Sequence, residues 1–269
     1  AEVAALEEAG ERARHATLYV TLEPCTSWGS TPPCARAVLD AGVRRVVIGT
    51  RDPNPHAAGG LDELREAGVD VEVAEGELAF RARSQNEAWL TWITQQRPFV
   101  TYKVATTLDG RVSVPGSRWV SGEESRRLVH EVRAASDAVA VGMGTVRADD
   151  PSLTARGVAA RRQPRRLAFG RGPLPEGSGL ELRSGPLEDE LRALASEGVQ
   201  SLLLEGGPTL AASFMRAGLV DKLLLFVAPV LAGAGAHFLD GLTEPVELRR
   251  LTSRPVGKDV VLTAYVHEP

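Results

Sequence analysis

The chain has 269 residues, a net charge of −4, 43% hydrophobic and 25% charged residues, and two cysteines. That size allows one large domain or two ordinary ones, and the composition is that of a soluble globular protein. The charge gives no electrostatic reason to expect a nucleic-acid partner. No apolar run approaches the ~20 residues of a membrane span, and no secretory signal opens the chain. Two cysteines make no disulfide scaffold, so a reduced, cytoplasmic setting is expected.

Residues 1–9 read as a helix that starts without initiator Met or cap residue, as a fragment of a longer chain would. His15–Leu22 reads as a strand. Pro32 and Pro33 suit the first turn of a helix through Ala41, stopped by Gly42. Val43–Gly49 is the next strand, Asp52-Pro-Asn-Pro55 a turn, Leu61–Ala67 a helix and Val69–Val73 a strand. Glu77–Thr94 reads as one helix. The rhythm restarts after Arg97-Pro98, with a strand over Phe99–Thr107, a helix over Gly122–Ala135 and a strand over Asp137–Val141. Arg166–Phe169 is a short strand, and the Gly- and Pro-rich residues 170–186 are a loop. Leu187–Ser196 is a helix, Val199–Glu205 an apolar strand, and Gly206-Gly-Pro-Thr209 opens a helix to Ala217. Lys222–Ala228, Val246–Leu251 and Val260–Val266 close the chain as strands. Helices alternating with strands in both halves predict two α/β domains with partly parallel sheets, 1–95 and 96–269.

Cys25, in Glu23-Pro-Cys25, and Cys34, in Pro32-Pro-Cys34, are the only cysteines. Free cysteines are ordinarily buried as small apolar groups. The spacing here instead places two thiolates where one metal can take both, Cys34 in a helical first turn that favours the thiolate. Zinc deaminases carry His-x-Glu plus Pro-Cys…Cys, with the Glu a proton shuttle and not a ligand. Ala1-Glu2 matches the last two positions of His-x-Glu, making Glu2 the candidate shuttle and Cys25 and Cys34 two of the three protein ligands that a catalytic zinc needs. His15 and His56 lack ligand spacing.

Further motifs follow in order: Tyr19–Cys25, Gly29–Cys34, Asp52–Pro55, Arg97–Lys103, Leu108-Asp-Gly-Arg111, Val141–Pro151, Leu153-Thr154 and Leu204-Glu-Gly-Gly-Pro-Thr-Leu210. Together the chain resembles the bifunctional deaminase/reductase family of bacterial riboflavin biosynthesis over almost its whole length. The resemblance implies a cytidine-deaminase-like α/β/α domain, here incomplete, then a dihydrofolate-reductase-like α/β domain. It implies hydrolytic deamination of 2,5-diamino-6-ribosylamino-4(3H)-pyrimidinone 5′-phosphate and NADPH-dependent reduction of 5-amino-6-(5-phosphoribosylamino)uracil to the ribitylamino product. It also implies a zinc-ligand His just before Ala1, so the chain as written is expected to deaminate poorly. Two departures are expected to matter, the lack of the family's roughly fifty residues before Ala1, with its substrate-binding Pro-Asn-Pro region, and a short 170–186 stretch; Ser27, where the family often has His, is a small change.

By the same resemblance, Ala105, Trp119, Thr145, Asp149 and the run Gly207, Pro208, Thr209, Leu210, Ala211, Ala212 and Ser213 contact the cofactor. Ser117, Arg133, Leu153, Arg156 and Glu205 bind the substrate. Lys103 is a candidate for polarising the ribose, and Asp109 is expected to fix the turn before Gly110. NADPH selectivity needs a cation at the 2′-phosphate, which Arg165, Arg166 or Arg171 could supply. Taken alone, Glu2 would read as a solvated helix-start carboxylate, Trp119 as core and most arginines as surface charge. The partners expected are a small phosphoribosyl pyrimidine and a second copy in a homodimer, with no nucleic acid and no membrane. The alternatives are a reductase alone with the deaminase half a remnant, a zinc deaminase of nucleosides or tRNA, and a non-enzymatic binding module.

Overall fold

The computed structural model describes residues 1–29 and 32–269. Ser30 and Thr31, within the Gly29–Cys34 motif, lie outside the described residues. The chain divides into two compact units, residues 1–95 with Pro269, and residues 96–268.

In the first unit, α1 (Glu2–Ala9) leads through a 3₁₀ turn to β1 (Thr17–Val20), α2 (Cys34–Asp40), β2 (Arg45–Ile48), α3 (Gly60–Glu66), β3 (Asp70–Val73), α4 (Gly76–Gln85) and α5 (Glu87–Gln95). The strands form a parallel sheet in the order β1-β2-β3. One side is a core of Val46 and Ile48 from β2, Ala35 and Val38 from α2, and Leu61 and Leu64 from α3. Gly49 ends β2 where an added Cβ would lie 2.3 Å from the Cβ of Ala82, on α4. At Gly60 a Cβ would fall 1.8 Å from the carbonyl oxygen of Pro24, so only glycine lets α3 begin against the Cys25 loop.

The second unit contains β4 (Phe99–Thr107), α6 (Glu123–Ala135), β5 (Ala138–Gly142), α7 (Met143–Asp149), β6 (Arg165–Phe169), β7 (Glu181–Arg183), α8 (Leu187–Ser196), β8 (Ser201–Leu204), α9 (Pro208–Arg216), β9 (Lys222–Ala228), β10 (Arg249–Val256) and β11 (Asp259–Tyr265). They build one eight-stranded sheet in the order β10-β11-β9-β4-β8-β5-β6-β7. The pairs from β9 to β7 are parallel, and β11 and β10 are added antiparallel. The central strands are near-continuous apolar runs because helices cover both faces. Leu202, Leu204, Ala138, Ala140 and Leu167 face Leu191 and Leu194 of α8 and Phe214 of α9. Leu203, Val139, Val141 and Ala168 face Val146 of α7 and Leu153 on the other side.

Two buried acids fix the frame. Asp221 accepts from Arg97 Nη1 at 2.7 Å and Nη2 at 2.6 Å, and from the Val100 amide at 2.8 Å, joining the entrances of β4 and β9. Asp259 accepts from the Gly122 amide and the Ser125 hydroxyl, both at 2.6 Å, and so supplies the N-terminus of α6 with a cap from β11.

Four elements differ from the sequence reading. The expected helix 77–94 breaks at Asn86, whose Nδ2 donates back to the Ala82 carbonyl at 3.0 Å. Residues 170–186 contain β7, made by pairing with the edge of β6. The segment after Val141 coils into α7 despite Gly142 and Gly144. The strand expected at 246–251 runs instead from Arg249 to Val256, because a two-residue turn at Gly257, φ 58°, pairs it with β11.

Candidate functional site

Parallel α/β sheets bind ligands beyond the carboxyl ends of their strands, where the strand order reverses. In the second unit that place is the mouth between β4, β8 and β5. β4 alternates, with Val100, Tyr102 and Val104 buried and Lys103 and Ala105 turned into a cleft of about 400 Å³. β8 delivers Glu205, Gly206 and Gly207 to the same cleft. Thr145 and Asp149 arrive from α7, Arg156 from the following loop, and Trp119 from the segment after β4. The expected sites Lys103, Ala105, Trp119, Arg133, Thr145, Asp149, Arg156, Glu205, Gly207 and Pro208 therefore line one space. Leu153 lines the adjoining part of it.

The centre of the cleft is electrostatic. Glu205 receives Arg133 Nε at 2.5 Å and Nη2 at 2.9 Å, and Lys103 Nζ lies 3.4 Å from the same carboxylate. Burial alone would raise the Glu205 pKa, but Lys103 and Arg133 outweigh it and hold the group below its ordinary value. A bidentate Arg and a Lys on one buried carboxylate leave one net positive charge, ready for an anionic or electron-rich ligand. Trp119 is not core: it is 53% exposed, with the guanidinium groups of Arg118 and Arg126 5.0 and 5.1 Å from its ring centroid.

Other expected residues are placed differently. Ser117 turns its hydroxyl onto the Trp119 carbonyl at 2.8 Å. Thr209 and Leu210 border a neighbouring groove with Gly142, Gly144 and Thr145, at the N-terminus of α9. Ala211 and Ala212 are buried within α9, and the Ser213 hydroxyl bonds the Thr209 carbonyl at 3.0 Å. Asp109 accepts from the Thr107 hydroxyl at 2.6 Å and from the Ala232 and Gly233 amides at 3.0 and 2.8 Å, which lower its pKa and fix the turn before Gly110. Of the candidate 2′-phosphate readers, Arg165 is paired with Glu181 and Glu197, and Arg166 with the carbonyls of Ser152 and Ser178. Arg171, two residues past the end of β6, has no side-chain partner among the described residues. Sequence reasoning missed Arg118, Arg126 and His130, which also line the cleft. Arg126, His130 and Arg133 are spaced i, i+4 and i+7, the helical signal that could have grouped them.

In the first unit, Cys34 Sγ lies 3.2 Å from the Glu2 carboxylate, and the Ala35 amide donates to the Cys25 carbonyl at 3.1 Å. Burial, Glu2 and Cys25 push the Cys34 thiol up to about 12, so the helix start does not by itself make it a thiolate, contrary to the sequence expectation. A divalent cation between the sulfurs would reverse that balance. Two soft sulfur donors with a carboxylate alongside fit zinc chemistry. Among the described residues, no cluster of three His, Cys, Asp or Glu completes a ligand set. Glu23, beside Cys25, is a scaffold: it accepts from the amides of Asp52, Gly59 and Leu61 at 3.0–3.1 Å, locking the Cys25 loop.

Residues 98–175 and 184–262 match the RibD C-terminal domain, and residues 1–50 match the cytidine and deoxycytidylate deaminase zinc-binding region. The chain is 37% identical to riboflavin biosynthesis protein RibD of Aquifex aeolicus, over 97% of this chain and 84% of that protein. The chain belongs to the RibD family. Like other RibD proteins it is an enzyme of riboflavin biosynthesis that joins a deaminase to a reductase. Its fold is that of RibD, a cytidine-deaminase-like unit followed by a dihydrofolate-reductase-like one. RibD of Acinetobacter baumannii, form 1, is similar at TM-score 0.84 and 34% identity, covering 98% of this chain and 85% of that one. A Thermotoga maritima diaminohydroxyphosphoribosylaminopyrimidine deaminase/5-amino-6-(5-phosphoribosylamino)uracil reductase is similar at TM-score 0.82 and 30% identity, covering 98% and 83%.

Proposed function

We propose that residues 96–269 reduce 5-amino-6-(5-phosphoribosylamino)uracil to its ribitylamino product with NADPH, and that residues 1–95 carry the deaminase half, acting on 2,5-diamino-6-ribosylamino-4(3H)-pyrimidinone 5′-phosphate. The observation that carries the reductase reading is the convergence of Lys103, Arg133, Glu205, Trp119 and Arg156 on one cleft beside the Gly206-Gly207 turn. NADPH, when bound, supplies the hydride that adds to ribose C1′. The amides at the start of α9 would hold its pyrophosphate, and Ala105, Trp119, Thr145 and Asp149 in the cleft would contact the rest of it. Arg171, which has no side-chain partner among the described residues, would be the cation available to its 2′-phosphate. Arg133 and Arg156 would receive the substrate phosphate, with Leu153 beside the base. Lys103 holds the proton that the ribose ring oxygen takes up as the ring opens, and Glu205 keeps that ammonium oriented.

In the deaminase half, Cys25 and Cys34 hold zinc together with a third ligand, and Glu2 holds and passes a proton. Zinc, when bound, supplies an acidified water. Free thiols at Cys25 and Cys34 and phosphorylated substrates suit the cytoplasm, and a homodimer is the expected assembly.

Replacing Lys103 with Met tests the reductase reading. NADPH consumption with the phosphoribosylaminouracil substrate should fall by about 10²-fold or more in kcat, while NADPH binding, read by fluorescence titration, stays at the wild-type value. Unchanged turnover would remove Lys103 from the chemistry.

A further inference from the structure

The loop from Asp150 to Arg156 is held in a conformation it would not adopt alone. Two of its non-glycine residues are left-handed, Asp150 at φ 41° and Leu153 at φ 52°, and such residues persist only where their surroundings over-determine them. Leu153 is 3% exposed, packed with Val139, Val141 and Val146. Beyond it, three consecutive residues are each pinned by a side chain from outside the loop. Arg133 Nη1 donates to the Thr154 carbonyl at 3.2 Å. Gln163 clamps Ala155 twice, accepting from its amide at 2.9 Å and donating to its carbonyl at 3.0 Å. His130 Nδ1 lies 3.3 Å from the Arg156 amide nitrogen and 3.1 Å from the Thr154 carbonyl.

A neutral imidazole nitrogen either donates or accepts. The Thr154 carbonyl is already served by Arg133, whereas the Arg156 amide has no other acceptor among the described residues. The tautomer assigned on that ground carries its proton on Nε2 and accepts from Arg156 through Nδ1.

We propose that His130 and Gln163 are positioning residues of the reductase site, holding residues 154–156 so that Arg156 is presented to the substrate phosphate. The proposal rests on Arg156 binding that phosphate. His130 is well suited to the task because it stays neutral: burial first, then Arg133, lower its pKa from 6.5; the Thr154 carbonyl pulls the other way, Arg156 lowers it by less than that, and Glu205 opposes least. Lys103 and Arg126 line the same cleft and add further positive charge. Protonation would put a hydrogen on Nδ1, turn it towards Thr154 and drop the Arg156 amide. The grip is therefore complete above the ordinary imidazole pKa and is lost as pH falls through the lowered one.

The test is steady-state reduction by the full chain at saturating NADPH, varying 5-amino-6-(5-phosphoribosylamino)uracil. His130→Ala and Gln163→Ala should each raise its KM by about tenfold, the equivalent of one lost hydrogen bond, with kcat and the KM for NADPH unchanged. His130→Asn, whose side-chain oxygen can stand at the Nδ1 position, should restore the wild-type KM; His130→Gln, which reaches only the Nε2 position, should not. As pH falls, the wild-type KM should rise more steeply than that of His130→Asn, which serves as reference for ionisation of the substrate phosphate itself. Melting temperatures identify any variant whose KM change is only unfolding, and the Asn/Gln comparison then decides. If Arg156→Ala raises KM while His130→Ala and Gln163→Ala match wild type, the positioning role is overturned and phosphate binding stands. If Arg156→Ala leaves KM unchanged, the phosphate assignment falls, and this proposal with it.

Discussion

At the scale of single residues, the cleft of the second unit and the thiol pair of the first differ in how their charges are satisfied. The reductase cleft has its charges paired and aimed: Glu205 holds Arg133 and Lys103, and each is fixed by its element. The thiol pair is different. Cys34 is held protonated by burial and by Glu2, and among the described residues no third ligand group joins it and Cys25. A polypeptide of these 269 residues alone should therefore retain zinc at well under one equivalent after gel filtration, as read by atomic absorption. Adding a single His directly before Ala1, to give His-x-Glu, should raise retention towards one equivalent and ammonia release with it. Full zinc occupancy of the unextended chain would contradict the two-thiolate reading. Cys25, Cys34 and Glu2 were expected from the motif alone, and the structure sets Cys34 Sγ 3.2 Å from the Glu2 carboxylate. His130 and Gln163 were not, because their role is to hold backbone atoms of a loop, and no residue-type pattern announces that.

Elements were legible where one physical signal dominated. β4, α8 and β9 fall where apolar alternation, or a helical apolar stripe between turn residues, had placed them. The departures came where a side-chain bond back onto the helix or a partner elsewhere in the chain decided. Asn86 ends α4 by bonding Ala82, and Ser84 does the same at Phe80. β7 exists because β6 offers an edge and Arg165 holds Glu181 across it. The entrances of β4 and β9 depend on Asp221, whose removal leaves Arg97 buried without a counter-charge. Asp221→Ala should destabilise the second unit by about 3–5 kcal/mol, measured by urea unfolding followed through NADPH binding. A loss below about 1 kcal/mol, the range of exposed pairs, would show that water reaches the Arg97 site.

For the whole molecule, acid stability follows from the carboxylates of the second unit. Glu181 and Glu197 are lowered from 4.5, first by Arg165 for Glu181 and by Arg183 for Glu197, and Glu205 is lowered by Lys103 and Arg133 despite its burial. A lowered carboxylate contributes stability that is fully present above its unfolded value and is lost as pH falls through the folded one. The reductase unit should keep its melting temperature down to about pH 5 and lose it steeply below 4.5. Glu205→Gln should flatten part of that loss in differential scanning calorimetry, and an unchanged acid limb would place the sensitivity elsewhere. The order of motifs along the chain determined the family and the α/β class, since motif residues and strand burial each demand particular side chains at local spacings. Only the tertiary structure decided which arginines are free and which are spent in ion pairs, that Trp119 faces solvent, and that α6 reaches across to hold the Arg156 loop. The arginine pairings depend on residues far apart in sequence, as Arg97 and Asp221, 124 positions apart, are, and local sequence does not record which distant partner satisfies a charge or a backbone amide.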